Sequence, residues 1–389
     1  MISVKEAKNI IYSQAKKLVP RWMPLVEAAG YIAAADINSP IPMPGFTQSS
    51  MDGYAIKLDH IDQILKIQDE LPAGSQKQIS LEDGAAVKVF TGGPIPANAD
   101  IVIQKEWVIE TNGQIQIIQK STERGLNIRQ PGSSIQKGDL VMQSSTAFHP
   151  YQLAMLANLG MTEVLVYPMP SIGLVITGNE LVKPGQALDI AQVYESNSIG
   201  LVSALKSIGV NDVTVYYAQD ELSSTISIIQ QAYAHSDMVI LTGGVSVGDY
   251  DFVAKACAII GAETLLHGIK QKPGKPMYVG QYLNKLMFGL PGNPSSVLHC
   301  FQQYVKPTIE LMVGKTPIQP IQAILAQDYS KPVGLAHFLK GLINADKVNI
   351  LPAQASYQVG AFSNANCWIE FPADASQFIQ GQMVTVHLF

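Results

Sequence analysis

One loop of the sequence combines glycines, hydroxyl groups and acids in a way that suits anion and metal binding. Residues 242–251 read Thr-Gly-Gly-Val-Ser-Val-Gly-Asp-Tyr-Asp and directly follow the apolar run 238–241. Glycines let backbone amides approach an anion, and a following helix adds the positive end of its dipole. The ligand-binding candidates in this loop are Gly243, Gly244 and Ser246. A tight turn with a Ser or Asp helix cap has the same composition, so the loop alone leaves both interpretations open.

Two further loops repeat this composition. A strand predicted at 172–177 runs into Thr-Gly-Asn-Glu at 177–180, and a strand predicted at 286–290 runs into Pro-Gly-Asn at 291–293. In an open parallel sheet, the loops after the strands lie at one edge. We therefore expect these loops to share one site with residues 242–251. The additional candidates are Thr177, Pro291 and Asn293.

Four acidic residues near these loops are candidates for holding a divalent cation. They are Glu180, Asp220, Asp249 and Asp251. Mg²⁺ typically takes one or two protein carboxylates together with substrate oxygens. For each acid taken alone, helix capping or plain exposure is an equal alternative.

Two lysines lie on a short segment that is rich in proline, Lys272-Pro-Gly-Lys275-Pro. Proline stiffens the segment, and two ammonium groups held close together repel each other unless an anion lies between them. We expect Lys272 and Lys275 to bind a phosphate or another anion. The alternative is a pair of solvated lysines on a surface turn.

A second acidic motif lies far from these loops in the sequence. Asp52 belongs to Ser-Met-Asp-Gly-Tyr-Ala at 50–55, where small hydroxyl residues lead into a turn. Its carboxylate is available to accept hydrogen bonds or to bind a metal ion. A purely structural Asp-Gly turn is the alternative.

Composition limits the class of protein. The 389 residues exceed the size of a single core, so two to four domains are expected. Hydrophobic residues make up 47% and charged residues 15%, which is typical of a well-buried globular protein. The net charge of −5 argues against nonspecific nucleic-acid binding. Three scattered cysteines favour a reducing compartment, and no signal peptide or membrane span is indicated, so we expect a cytoplasmic protein without a membrane partner.

The spacing of apolar residues predicts the order of elements. It predicts a helix from residue 4 to 18, a second helix over 25–34, and a mainly β region over 46–130. From residue 171, strands and helices alternate, which predicts a doubly wound parallel α/β domain. Short β runs after Gly314 predict a small C-terminal β domain.

Five motifs, taken together and in this order, resemble the molybdopterin molybdenumtransferase family, which includes MoeA and the E domain of gephyrin. They are residues 50–55, residues 90–96 (Phe-Thr-Gly-Gly-Pro-Ile-Pro) with Ala99-Asp100, residues 242–251, residues 272–276, and residues 289–294 (Gly-Leu-Pro-Gly-Asn-Pro). The resemblance covers essentially the whole chain. It implies an α/β multidomain protein with four domains: residues 1–40 with 131–168, a β-rich insert at 41–130, a molybdopterin-binding α/β domain at 169–313, and a β-barrel-like domain at 314–389.

The resemblance also implies an activity. Such enzymes insert molybdate into adenylylated molybdopterin with release of AMP, in molybdenum cofactor biosynthesis, usually with Mg²⁺. It implies a homodimer whose site lies between the α/β domain of one subunit and the insert of the other. Other proteins of cofactor biosynthesis are implied as partners.

Site residues follow by matching the motifs. The resemblance assigns catalytic roles to Asp52, Glu180, Asp220 and Asp251, and metal ligation to Glu180, Asp249 and Asp251. It assigns substrate binding to Thr91, Asp100, Thr177, Gly243, Gly244, Ser246, Lys272, Lys275, Pro291, Asn293, Lys340 and Ser363.

The chain departs from the family pattern at several acids. Ser133, Ser134 and Asn179 stand where the family usually has acidic residues, and Glu195 stands where an Asp is common. These changes leave open a non-catalytic scaffold that binds a pterin or nucleotide. A different nucleotide-cleaving enzyme built on the same α/β domain is a third possibility.

Overall fold

The computed structural model describes residues 1–245 and 252–389. Within these residues, no helix is both long and apolar enough to cross a bilayer. The predicted site residues Ser246, Asp249 and Asp251 lie outside the described residues.

A six-stranded sheet forms the centre of the α/β region. Four strands lie side by side in parallel, in the spatial order Val213–Ala218, Ile172–Thr177, Met238–Thr242 and Lys285–Leu290. The two middle strands are buried along their whole length, as expected when helices cover both faces of a parallel sheet. This arrangement confirms the predicted doubly wound sheet.

A hairpin extends this sheet in a way that the sequence pattern does not indicate. Tyr278–Tyr282 runs antiparallel to Lys285–Leu290 on one side and to Glu263–His267 on the other. Both turn residues, Leu283 and Asn284, have positive φ angles, of 51° and 63°. That geometry matches the right-handed twist of the strands, but its usual Asn-Gly signature is missing.

Seven α-helices are described; the first lies within the helix predicted from residue 4 to 18, and those after residue 171 belong to the predicted alternation of strands and helices. Their bounds are Val4–Gln14, Pro150–Asn158, Asn197–Ser207, Leu222–His235, Val253–Ile259, Pro294–Cys300 and Lys306–Met312. A π-helical turn, Phe301–Val305, joins the last two into one continuous helical segment.

The helix predicted over residues 25–34 is wrong. A short strand Arg21–Pro24, a 3₁₀ turn Leu25–Glu27 and a strand Ile32–Ala33 occupy this stretch. Both strands pair with Glu163–Tyr167, which supplies their backbone partners. Gly30 has a φ angle of 82°, which interrupts a helix, so the apolar spacing reflects packing against this sheet.

The insert is mainly β, as predicted. Its six-stranded sheet runs in the spatial order Ile101–Gln104, Gly53–Ile56, Ala85–Val89, Leu65–Leu71, Gln114–Ile117 and Val108–Thr111. The strand Gly53–Ile56 is flanked on both sides and fully buried.

The C-terminal region forms a closed five-stranded barrel, which confirms the β-barrel-like prediction. Its strands are Ile321–Leu325, Ala336–Asn344, Lys347–Ile350, Cys367–Phe371 and Met383–Leu388. The ring closes because Ala336–Asn344 pairs with both Lys347–Ile350 and Cys367–Phe371. A short strand of the lysine segment, Gln271–Lys272, joins Ala336–Asn344 in parallel. The exact domain boundaries stay a prediction.

Eight further two- or three-residue strands form small pairs. They are Ile37–Asn38, Gln48–Ser49, Ile128–Arg129, Leu140–Met142, Leu181–Val182, Val193–Tyr194, Tyr329–Ser330 and Gln377–Phe378.

We expect Gly53→Ala to destabilise the insert. A Cβ at position 53 would overlap the carbonyl oxygen of Ile103 on the neighbouring strand. Forcing extra atoms into a packed region typically costs about 1–3 kcal/mol. Gly360→Ala is the control, because a Cβ there meets open space. Equal free energies of unfolding in urea for the two variants would contradict this account of the strand.

Candidate functional site

The three predicted loops meet at the carboxyl edge of the central sheet. The Thr177 hydroxyl donates a hydrogen bond to the Thr242 carbonyl at 3.1 Å. The Gly243 amide donates to the Leu290 carbonyl at 3.0 Å. A Cβ at Gly292 would lie 3.7 Å from the Cα of Gly243. The structure therefore brings the loops after these three strands into contact.

Glycine is required where two of these loops touch. Gly243 has a φ angle of 86°, and a Cβ there would lie 2.7 Å from the Thr177 hydroxyl oxygen. Gly244 also has a positive φ angle, of 64°. Backbone groups of Gly243 and Gly244, rather than side chains, therefore form the surface at this edge. This surface is the floor of the candidate site.

Two buried polar atoms beside this floor have no hydrogen-bond partner among the residues that the structure describes. They are the hydroxyl oxygen of Thr242 and the amide oxygen of Asn197. Asn197 is held in place because its side-chain amide donates to the Gly292 carbonyl at 2.8 Å. Sequence reasoning missed Asn197, although it begins the helix that follows the Glu195-Ser196 step.

The predicted acids differ in what they do. Asp220 accepts a hydrogen bond from the Asn179 amide at 3.0 Å, and the Asp220 amide donates to the Asn179 side chain at 3.3 Å. This reciprocal pair ties two loops together. Glu180 is exposed, and its carboxylate lies over Gly178, where a Cβ would be 2.9 Å from Oε2.

Glu195 has a structural role. Its carboxylate is buried and accepts hydrogen bonds from the amide of Ser198, at 2.8 Å, and from the Ser198 hydroxyl. It therefore satisfies an amide in the first turn of the helix Asn197–Ser207.

The lysine segment rests on a rigid buried base. Gly274 has a φ angle of 86°, and a Cβ there would overlap the sulfur of Cys300. Gln271 is fully buried, donates to the Gly274 carbonyl at 3.3 Å, and accepts from the Tyr304 hydroxyl. Lys272 and Lys275 are both exposed. The segment thus presents two ammonium groups from a fixed backbone, and Gln271 is a supporting residue that sequence reasoning missed.

The positive charge of this segment affects the pKa of His337, its neighbour in the barrel. Lys272 pairs in register with His337. Burial, with Lys331 and then Lys272, lowers the pKa of His337 to about 4. The His337 side chain is therefore neutral at physiological pH.

Lys340 and Ser363, the predicted oxyanion contacts, have partners within the protein. Lys340 is fully buried, and its ammonium donates to the Gln358 carbonyl at 2.7 Å and to the Ser295 hydroxyl at 3.4 Å. Burial lowers its pKa. The Ser363 hydroxyl donates to the Gly360 carbonyl at 2.9 Å. A ligand role for either residue stays a prediction.

A hydrogen bond also links the loop at 291–293 to the barrel. The Asn293 side chain donates to the Ser356 hydroxyl at 3.1 Å. Together with the contact from Lys340 to Ser295, it fixes the loop at 291–293 against the barrel.

In the insert, Asp52 and Thr91 form one unit. The Thr91 amide and hydroxyl both donate to Asp52 Oδ1, each at 2.9 Å. Lys105 Nζ lies 3.8 Å from Asp52 Oδ2. The backbone and side-chain hydrogen bonds from Thr91, with a smaller effect from Lys105, hold the pKa of the Asp52 carboxyl below its usual value. Thr91 therefore orients Asp52.

Asp100 serves the insert fold. Its carboxylate accepts from the Leu58 amide at 3.1 Å and forms an ion pair with Arg124. Its predicted role in substrate binding is untested. The hydrogen bonds and ion pairs just given for Asp52, Thr91 and Asp100 all stay within the insert, whereas the other group of predicted residues lies at the sheet edge and the barrel.

The described residues offer no cluster of three His, Cys, Asp or Glu side chains for a metal ion. Glu180 and Asp220 are the two predicted carboxylates near the sheet edge that the structure describes. Two carboxylates fit the number that Mg²⁺ usually takes from a protein when substrate oxygens complete its shell.

Three family models match the chain in succession. They are the MoeA N-terminal region (domain I and II) at residues 2–160, a probable molybdopterin binding domain at residues 173–311, and the MoeA C-terminal region (domain IV) at residues 322–389.

Similar proteins match over the whole of this chain and nearly all of their own lengths. A molybdopterin molybdenumtransferase of Staphylococcus aureus (strain COL) is 31% identical, with 100% of this chain and 95% of that protein covered. One of Haemophilus influenzae is 32% identical, with 100% and 99% covered. A crystal structure of a molybdopterin biosynthesis MoeA protein from Pyrococcus horikoshii has a TM-score of 0.88 at 29% identity, covering 100% of this chain and 99% of that one.

We expect Gly274→Ala to destabilise the fold more than Gly261→Ala. Both glycines have φ angles above 80°, so both variants carry the cost of a left-handed alanine, about 1–2 kcal/mol. Only position 274 adds an overlap, with the sulfur of Cys300. A double-mutant cycle with Cys300→Ala, read as free energies of unfolding, should show that the two changes are coupled. Additive effects would contradict a tightly packed base under the lysines.

Proposed function

This chain belongs to the MoeA family of molybdopterin molybdenumtransferases, and we propose that it inserts molybdate into adenylylated molybdopterin with release of AMP. The observation that carries the proposal is the contact of three glycine-containing loops at the carboxyl edge of the sheet. The segment that bears two exposed lysines links the strands Glu263–His267 and Tyr278–Tyr282 at the same edge. Similarity to named molybdopterin molybdenumtransferases over the whole of this chain supports the proposal. The proposed place of the reaction is molybdenum cofactor biosynthesis in the cytoplasm, where three free cysteines are stable.

The substrates are anions, so charge is the first requirement of the chemistry. Adenylylated molybdopterin carries phosphate groups, and molybdate is a dianion. Lys272 and Lys275 supply two positive charges, and the backbone at Gly243 and Gly244 allows close approach of a ligand. Preorganised charges of this kind stabilise the charge that develops in phosphoryl transfer.

A covalent intermediate on cysteine does not fit this site. All three cysteines are buried. Burial raises the pKa of Cys257 to about 12 and that of Cys367 to about 11, and it also raises the pKa of Cys300. These thiols stay protonated at neutral pH, whereas nucleophilic attack requires the thiolate. Direct attack on the phosphoanhydride by an oxygen nucleophile is the simpler route.

Mg²⁺ is the proposed metal. Glu180 and Asp220 are its described candidate ligands, and Asp249 and Asp251 are proposed from the sequence. When bound, the ion would offset the negative charge of the phosphate oxygens. Asn179 positions Asp220 through the reciprocal hydrogen bonds described above.

The complete site is proposed to need two subunits. Asp52 and Thr91 are hydrogen-bonded to each other within the insert. The glycine loops lie at the sheet edge, and the lysine segment links the strands Glu263–His267 and Tyr278–Tyr282 at that same edge. In a homodimer, the insert of one subunit would face the sheet edge of the other and bring Asp52 to the substrate. Thr91 keeps Asp52 ionised and oriented for water or substrate. Proteins that supply the adenylylated pterin, or accept the finished cofactor, are the expected partners.

A non-catalytic scaffold is the second candidate. The observation that favours it is the replacement of usual acids by Ser133, Ser134 and Asn179. Ser133 and Ser134 line a cavity of about 640 Å³ with Arg129. A scaffold would bind the pterin or nucleotide without turnover.

The transferase proposal predicts complementation. The chain should restore molybdoenzyme activity in a strain that lacks the molybdate-insertion step, and Asp52→Asn should lower turnover by about a hundredfold or more with little change in ligand affinity. Asp83→Asn is the control, since this insert carboxylate is paired with Lys57 and highly exposed. Substrate binding without restored activity would favour the scaffold. Near-normal turnover of Asp52→Asn would show that Asp52 has only a structural role in its turn.

The shared site predicts rescue in mixed dimers. An Asp52→Asn chain combined with a Lys272→Met chain forms heterodimers with one fully altered site and one intact site. Differently tagged chains allow these heterodimers to be isolated, and each should recover about half of the wild-type activity of a dimer. Isolated heterodimers as inactive as the two parent variants would rule out a site built from both subunits.

A further inference from the structure

Strand register places Lys105 directly opposite Asp52. The antiparallel strands Gly53–Ile56 and Ile101–Gln104 pair Gly53 with Gln104, so their neighbours Asp52 and Lys105 face each other just beyond the paired ends. The Lys105 amide donates to the Asp52 carbonyl at 3.0 Å. Its ammonium lies 3.8 Å from Asp52 Oδ2. Two contacts, one from backbone and one from side chain, therefore join these residues.

The two oxygens of Asp52 have different surroundings. Oδ1 takes both hydrogen bonds from Thr91. Oδ2 is left to the loose ion pair with Lys105, whose side chain is 61% exposed. An ammonium has three donors, so at this distance Lys105 retains the capacity to contact another group as well as Asp52.

The other charges around the Asp52 carboxylate are already compensated. A small cavity of about 250 Å³ lies beside it, lined by Asp52, Tyr54, Lys88, Phe90 and Lys105, among others. Lys88 is 3.1 Å from Glu110, which also accepts from the Tyr54 hydroxyl. Of the two lysines that line this cavity, Lys88 is thus paired with Glu110 and Lys105 with Asp52.

A lone carboxylate is a poor neighbour for an anionic substrate. Like charges a few Å apart repel, and the approach of a phosphate or oxyanion would also favour protonation of the carboxyl. An ammonium beside Asp52 reduces the local charge to zero. The pair then tolerates an anion, whereas Asp52 alone would oppose it.

We propose that Lys105 is a positioning residue for Asp52: it holds Oδ2 and cancels the charge of the carboxylate, so that a phosphate or oxyanion group can approach while Asp52 stays ionised. The inference rests on the proposed function, because it takes Asp52 to face an anionic substrate. It extends that function, since no motif of the family resemblance includes Lys105.

The test compares three lysine variants of the 389-residue chain. Lys105→Met removes the charge, Lys105→Arg keeps it, and Lys77→Met is the matched control, because Lys77 is an exposed insert lysine paired with Asp69 at 2.8 Å. We expect Lys105→Met to raise KM for adenylylated molybdopterin and lower kcat/KM by about two- to fivefold, the range of an exposed ion pair. The acid limb of the pH profile should move to higher pH, because Asp52 loses a group that favours its ionised form. Lys105→Arg should keep the kinetic constants and the acid limb of the pH profile close to those of the wild-type protein.

An independent readout is the titration of the Asp52 carboxyl, followed by NMR in protein labelled with ¹³C on aspartate and assigned with Asp52→Asn. Its pKa should rise in Lys105→Met and stay unchanged in Lys105→Arg and Lys77→Met. Lys105→Gln replaces Lys105→Met if the latter unfolds at a lower temperature. Kinetics or a titration indistinguishable from Lys77→Met would overturn the inference. If the wild-type protein shows no turnover, the proposed function fails, and the titration still decides whether Lys105 acts on Asp52.

Discussion

The close contact of three loops at the carboxyl edge of the central sheet is the constraint on which the rest of the site depends. Gly243 touches Thr177 and lies beside Gly292, so side chains are excluded from the floor. A ligand can approach such a floor closely, but the floor carries little charge of its own. Neutralisation of an anionic ligand must therefore come from elsewhere, and we propose that the two lysines of the segment that pairs with the barrel supply it.

The buried contacts beneath this segment fix the backbone that carries the two exposed lysines. Gln271, Cys300 and Tyr304 form a buried base under Gly274, and Lys272 pairs with a strand of the barrel. The barrel also holds the loop at 291–293 through Lys340 and Asn293. The C-terminal domain thus contributes to the site by fixing two of its segments, which is a sufficient reason for the buried position of Lys340.

Periodicity and turn chemistry allowed much of the fold to be predicted, because the parallel strands are continuous apolar runs followed by glycine loops. The helix predicted over 25–34 failed because spacing cannot distinguish a helix from short strands that pair with a distant segment such as Glu163–Tyr167. The hairpin at Leu283-Asn284 was missed because its positive φ angles occur without glycine.

Of the site, the converging loops could be predicted, since parallel topology fixes where strands end. Lys105, Asn197 and Gln271 could not, because their roles arise from register and burial, which sequence spacing does not carry. Glu195 and Asp100 show the converse, as conspicuous acids whose described contacts are internal.

We propose that this chain uses a floor of glycines, fixed lysines and Asp52 to cleave adenylylated molybdopterin during metal insertion. The most direct measurement incubates the purified protein with adenylylated molybdopterin, molybdate and Mg²⁺, and determines both the AMP released and the molybdenum bound to the pterin. We predict one AMP for each molybdenum inserted, and loss of both products when molybdate is omitted. Tight binding of the adenylylated pterin with neither AMP nor molybdenum-loaded cofactor formed would contradict the account.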